Sequence, residues 1–205
     1  MCAAAWGGVM DAIAPDRPLR IPVLLGTVRK SRMSERVAHL VLDRLAATDG
    51  VATELIDIAR LDIVTSDAGE AIKDPLFAAT VSMADGLVIV VPEYNHGYPG
   101  MLKHILDSNY WEYVHRAVGL VGVSSGPIGG ARAIENLLPV LKAVGLVPTA
   151  WDLNVGNVAS VFAEDGTVTD PRLDARLGGF VGELVWMSAT LRHGRSFIPN
   201  PARVR

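Results

Sequence analysis

Two stretches of the chain, Leu87-Val88-Ile89-Val90-Val91 and Val118-Gly119-Leu120-Val121-Gly122-Val123, are apolar or glycine at every position. They are too short for buried helices, and they do not alternate as a half-solvated strand would. A strand of this kind is covered on both faces, which is the condition of an interior strand in a parallel sheet. Three further short apolar runs, Leu19 to Leu25, Val51 to Ile58 and Leu146 to Val155, complete a set of five. Between runs the spacing changes to that of helices: Val37, Leu40, Val41 and Leu45 recur on one face, as do Leu137, Leu138, Leu141 and Val144. A closing helix is expected over Leu173 to Leu191, with Leu177, Phe180, Val181, Leu184 and Met187 on its apolar face. Strands alternating with helices build an α/β domain, because each crossover must lay a helix on the sheet. Pro22 lies inside the first run and counts against an unbroken strand there, since proline donates no ladder hydrogen bond.

Five strands separated by helices fit a flavodoxin-like three-layer sandwich with a five-stranded parallel sheet in the order 2-1-3-4-5. In such a sheet ligands bind beyond the carboxyl ends of the strands, where the order reverses beside the first and third. The residues with unusual chemistry fall after strands one, three and four, at that edge. A chain of 205 residues with 50% hydrophobic content fits one domain. Its expected extent is 19–195, with an N-terminal tail over 1–18 and a C-terminal tail over 196–205. Asn157 to Asp170 is read as a long connection with a turn at Glu164-Asp165-Gly166.

Charge and cysteine usage exclude several classes. With 19 basic against 22 acidic residues, net −3, the chain lacks the cationic excess that neutralises nucleic-acid phosphates or holds a protein on an anionic membrane. Cys2 is the single cysteine, so no intrachain disulfide and no thiolate cluster can form, in keeping with a reducing cytoplasm. The apolar stretch Cys2 to Met10 has no basic flank before it and is too short to span a bilayer.

Three loops carry the chemistry. The first, Gly26 to Ser34, joins a strand to a helix, whose N-terminus offers backbone N–H groups and a favourable dipole to an anion. Thr27 and Ser34 add hydroxyls, and Arg29, with Arg32 or Lys30, adds charge, a set suited to a terminal monophosphate. The nucleoside-triphosphate loop GxxxxGK[ST] is missing. The competing reading makes Ser34 a helix cap and the basic residues solvated. The second loop is Pro92-Glu93-Tyr94-Asn95-His96-Gly97-Tyr98-Pro99-Gly100-Met101-Leu102-Lys103. The Asn95 amide offers a donor and an acceptor, Gly97 lets a ligand approach the backbone closely, and Pro99 suits the first turn of a helix. Tyr94 and Tyr98 either bound a ligand or simply pack. His96 has no second histidine or cysteine at ligand spacing, so no metal site is read here. The third loop, Ser124-Ser125-Gly126-Pro127-Ile128-Gly129-Gly130-Ala131-Arg132, lacks the GxGxxG spacing and takes its weight from its position.

The Pro92 to Lys103 segment strongly resembles the PEYN...PG.LK signature of NADPH-dependent FMN reductases, a likeness that extends from about Ile21 to the end of the last helix. Thr27 stands where that family usually has serine, and His104 where asparagine is common. The resemblance implies bound FMN held by Thr27, Arg29, Met33, Ser34, Pro92, Glu93, Tyr94, Asn95, His96, Gly97, Ser124, Ser125 and Gly126. It implies NADPH or NADH as hydride donor and a small-molecule acceptor such as free flavin, a quinone, an azo compound or a metal oxyanion. Hydride transfer to flavin requires no side-chain acid or base, so no catalytic residue is assigned and Glu93 is read as scaffold. Gly129, Gly130 and Arg132 either start the next helix or reach the nicotinamide nucleotide. The family also implies a homodimer or homotetramer; Tyr110-Trp111-Glu112-Tyr113 reads either as part of such an interface or as core. A non-enzymatic electron carrier or a flavin-dependent redox sensor is the alternative function.

Overall fold

The computed structural model describes residues 17–64 and 73–200, so the apolar stretch Cys2 to Met10 and the last part of the C-terminal tail lie outside the described residues. The strands are β1 Leu19–Arg20, β2 Val23–Leu25, β3 Val51–Ala52, β4 Leu55–Asp57, β5 Gly86–Pro92, β6 Ala117–Val123, β7 Val147–Pro148 and β8 Leu153–Val155. The helices are α1 Ser34–Ala46, α2 Pro75–Met83, α3 Gly100–Asp107, α4 Ala131–Ala143 and α5 Pro171–Phe197. All pairings between these strands are parallel, and the main sheet runs β4-β2-β5-β6-β7, with β8 also on β6. Taken by the sequence run to which each segment belongs, that order is second, first, third, fourth, fifth.

The two wholly apolar runs become β5 and β6, buried at every position and paired over their full length. Alternate residues serve opposite faces. Val23, Leu25, Val88, Val90 and Val121 pack with Val37, Val41, Leu177, Phe180 and Leu184 of α1 and α5. Leu24, Leu87, Ile89, Val118 and Leu120 pack with Phe77, Leu102, Ile105, Ile134 and Leu137 of α2, α3 and α4. Continuous apolarity is thus two interleaved period-two patterns, one for each layer of helices.

The other three runs are interrupted. At Pro22 the first run divides into β1, paired with β3, and β2, paired with β4. The proline has no N–H to give, but its carbonyl still accepts from Val88 N at 3.0 Å, so the chain stays aligned across the break. The second run ends earlier than expected: Asp57 accepts from Ala59 N at 3.0 Å and starts a single helical turn at Ile58. The fifth splits into β7 and β8, and the intervening segment leaves Trp151 67% exposed at the sheet edge. Periodicity does not single out α2. Its sequence mark is the Asp74-Pro75 pair, the aspartate accepting from Phe77 N at 2.8 Å and the proline filling a first-turn position that needs no N–H. The closing helix α5 continues past the expected domain limit to Phe197.

Candidate functional site at the carboxyl edge

The three loops converge because β2, β5 and β6 are adjacent and all end at the same edge. The first loop is pinned at its root by Gly26 N donating to Val90 O at 2.9 Å. Thr27 is only 1% exposed. Its Oγ1 lies 2.8 Å from the Tyr94 hydroxyl and accepts from Arg29 N at 3.3 Å, so the first and second loops are joined by side chains. Arg29 and Lys30 are exposed, and the Arg29 guanidinium lies 6.0 Å from the Tyr94 ring centre. Arg32 is different: it donates to the Thr27 carbonyl and pairs with Asp57, both side chains being 8% exposed. It shapes the loop instead of offering charge at its surface.

Ser34 is the first residue of α1 and does not cap it. The capping position is Met33, in helical conformation with no side-chain cap bond, its side chain packed against the core shared by α1 and α5. Ser34 is 2% exposed and its Oγ has no partner within the described structure.

The second loop begins by extending the sheet, Glu93 N donating to Val123 O at 2.9 Å. Tyr94 and Gly97 then exchange backbone hydrogen bonds at 2.8 and 3.0 Å around Asn95 and His96, whose φ values are 48° and 67°. Two successive left-handed residues make a tight primed hairpin turn, for which asparagine is well suited. Asn95 and His96 are exposed, and the His96 carbonyl accepts from Asn136 Nδ2 of α4 at 3.0 Å. Gly97 is not in a left-handed conformation, and a Cβ there would meet only the Tyr94 carbonyl, at 3.9 Å. Pro99 caps α3 with an extended backbone instead of entering its first turn. Tyr98 packs against the core beneath α3. Glu93 Oε1 pairs with Arg132 of α4 at 2.8 Å, whereas Oε2 is buried without a partner. His104 places Nε2 2.6 Å from the Val64 carbonyl, fastening α3 to the segment after β4.

In the third loop Ser124 is committed internally: its Oγ donates to Gly126 O at 2.8 Å and accepts from Gly129 N at 2.9 Å. Ser125 is exposed, and a Cβ on Gly126 would meet nothing within 4 Å. Gly130, at φ 77°, caps α4 in a conformation that an L side chain rarely adopts, and its Cβ would strike Val123 N at 2.5 Å. Gly129 and Gly130 thus start the helix, and Arg132 in its first turn belongs to Glu93. Of the aromatic cluster, Tyr113 is fully buried, and burial pushes its phenol pKa far up, so it is core. Tyr110 and Trp111 are 49% and 59% exposed and meet edge to face.

This edge fits a flavin monophosphate. Ser34 supplies a buried, unpartnered hydroxyl at a helix N-terminus beside two exposed cations, a combination suited to phosphate. Gly97 and Gly126 leave open space on the two loops that would face a planar ring, and the chain's own packing does not demand glycine at either. Recesses of about 580 and 310 Å³ open instead at the amino ends of the strands, around Phe197 and around Asp85, away from these loops. No group of three or more His, Cys, Asp or Glu suited to a metal occurs among the described residues.

Comparison with known proteins agrees with the geometry. The model of the family described as NADPH-dependent FMN reductase matches residues 19–159. A 2-hydroxy-1,4-benzoquinone reductase of Burkholderia sp is 32% identical over 136 residues, covering 63% of this chain and 73% of its own. A quinone reductase of Pseudomonas putida is 28% identical over 163 residues, 73% of this chain and 84% of its own. Among solved structures, FerB of Paracoccus denitrificans, a flavoenzyme NAD(P)H:(acceptor) oxidoreductase, superposes with a TM-score of 0.70 at 27% identity, covering 84% of this chain and 98% of its own.

Proposed function

The chain belongs to the NADPH-dependent FMN reductase family, and from that premise we propose a cytoplasmic quinone-type reductase, active as a homodimer or homotetramer, with NADPH as the preferred donor. Its activity class is NAD(P)H-dependent flavin oxidoreductase, with FMN as the bound cofactor. Bound FMN supplies the two-electron chemistry between reduced nicotinamide and acceptor.

The residues of this chain bind and orient. Arg29 and Ser34, with the amino end of α1 and the loop around Thr27 and Met33, hold the phosphate. The Tyr94–Gly97 hairpin, rooted in Pro92 and Glu93, presents backbone groups and the Asn95 amide to the pyrimidine edge. Ser125 and Gly126 would contact the opposite edge of the ring, while Ser124 braces their loop. Glu93 keeps Arg132 at the lip of the site, and no side chain is assigned a proton-transfer role.

The observation that carries this reading is the unpartnered Ser34 hydroxyl at the head of α1, where the loop that bears Arg29 enters the helix. A quinone acceptor is favoured by the relatives in Burkholderia and Pseudomonas. The cytoplasm is supported by the single cysteine, and no described helix is long and apolar enough to cross a membrane. Self-association is supported by the exposed Tyr110 and Trp111.

The test is direct. The purified chain is expected to be yellow, and to oxidise NADPH faster with a benzoquinone than with an azo dye or chromate, in a species larger than the monomer by sedimentation. A colourless chain that does not quench FMN fluorescence on titration would exclude the cofactor site. A holoprotein that favours the dye or chromate would overturn the acceptor.

A further inference from the structure

Tyr94 belongs to the second loop, yet its hydroxyl lies against the first. Tyr94 Oη and Thr27 Oγ1 are 2.8 Å apart, and the geometry alone permits either to donate. Proton accounting decides between them. Thr27 Oγ1 already accepts from Arg29 N–H. Thr27 is 1% exposed, and a buried hydroxyl proton is costly to leave without an acceptor. The acceptor that the structure places beside it is the phenol oxygen, and Thr27 therefore donates to Tyr94. The phenolic proton is then left over, on a residue that is only partly buried. Its oxygen already accepts a hydrogen bond, which polarises the O–H and strengthens it as a donor. The Arg29 guanidinium lies 6.0 Å from the centre of the same ring, so a cation stands on the loop that the phenol reaches.

We propose that Tyr94 is a phosphate residue: its O–H donates to the 5′-phosphate of the flavin nucleotide, and Thr27 holds it in that orientation. Tyr94 then discriminates phosphorylated flavin from riboflavin, whereas a tyrosine that only walls the ring would serve both ligands alike. This inference rests on the FMN reading of the carboxyl edge.

Binding of FMN and of riboflavin, each followed by quenching of flavin fluorescence on titration with apoprotein, tests it without reference to turnover. Tyr94→Phe keeps the ring and removes one charge-assisted hydrogen bond, so FMN affinity is expected to fall about tenfold while riboflavin affinity stays within about twofold. Thr27→Val is expected to act in the same direction and Thr27→Ser to restore the preference. The double variant Thr27→Val with Tyr94→Phe should lose less than the product of the single losses, because both break one relay. Equal loss for both flavins in Tyr94→Phe, or loss for neither, overturns the proposal and leaves the cofactor assignment standing. An unmodified chain that binds neither flavin overturns both.

Discussion

Arg29 and Arg32 stand three positions apart in one loop, and residue type alone assigns both to an anion. Their surroundings separate them. Arg32 is nearly enclosed and bonded to the Thr27 carbonyl and Asp57, whereas Arg29 is exposed above the Tyr94 ring. Removing Arg32 leaves the enclosed Asp57 with only the exposed Arg60 at 3.5 Å as a cationic partner, so Arg32→Ala is expected to lower the unfolding free energy of the apoprotein by about 2–3 kcal/mol. Arg29→Ala should leave it within about 0.5 kcal/mol, since no enclosed contact is lost. FMN affinity should fall in Arg29→Ala by about tenfold or more. Urea titrations of both apoproteins and FMN titrations of both folded variants read the contrast; equal destabilisation by the two would contradict the division of roles. The sequence could supply the hydroxyls and cations of this loop because strand-to-helix turns show them locally. It could not supply the division, because Asp57 lies 25 positions away from Arg32 and is brought to it only by the pairing of β2 with β4. Glu93 and Arg132, 39 positions apart, were beyond local reading for the same reason.

Elements were legible in proportion to how far local pattern alone determines them. The doubly covered strands β5 and β6 could be read because burial on both faces leaves an unbroken apolar run, and α1 and α4 because their buried residues recur at helical spacing. Breaks in the remaining strands depend on contacts. Pro22 announces one, whereas nothing in Thr149-Ala150-Trp151-Asp152 announces that the fifth run leaves the sheet and returns. Helix starts depend on caps, and the cap of α5 has a pH signature. Asp170 accepts from Arg172 N and pairs with the Arg172 side chain, which holds its carboxyl below the usual aspartate value of 3.8. A carboxylate whose pKa is depressed by folding contributes stability above the unfolded value, and loses it as pH falls through the folded value. The α5 cap is therefore expected to weaken below about pH 3.8. Asp170→Asn still caps but does not titrate, so its urea midpoint relative to the unmodified chain should improve between pH 7 and pH 3. A constant difference between the two proteins across that range would remove Asp170 from the acid sensitivity of the fold.

At the scale of the molecule the two edges of the sheet do different work. At the amino edge Asp85 is 1% exposed and is met by Arg17 at 2.7 Å, Arg195 at 3.2 Å, Arg192 at 3.6 Å and the Arg20 N–H at 3.0 Å. That cluster ties the start of β5 to β1 and to the end of α5, and its groups are satisfied within the chain. At the carboxyl edge Ser34 Oγ and Glu93 Oε2 are enclosed and unpartnered, as Asn109 Oδ1, Tyr113 Oη and Ser188 Oγ are away from it, but only the first two lie where a flavin nucleotide could offset the cost. Substitutions at the two edges should consequently move different quantities. Asp85→Ala leaves several guanidinium groups facing one another and is expected to cost about 3–5 kcal/mol of stability. The folded fraction should keep its FMN affinity within about twofold, because no loop of the flavin site touches Asp85. Ser34→Ala removes a buried hydroxyl that has no partner until phosphate arrives. The apoprotein should be as stable as the unmodified chain or more stable by up to about 1 kcal/mol, while FMN binds more weakly. Since a ligand that binds only the folded state raises stability with the logarithm of its concentration over Kd, thermal unfolding across an FMN series separates the two effects. Ser34→Ala should start at or above the unmodified chain without FMN and fall below it as FMN is added. Asp85→Ala should run parallel to the unmodified chain at a lower temperature throughout. Crossing curves for Asp85→Ala, or parallel ones for Ser34→Ala, would mean that stability and cofactor recognition are not divided between the edges in this way.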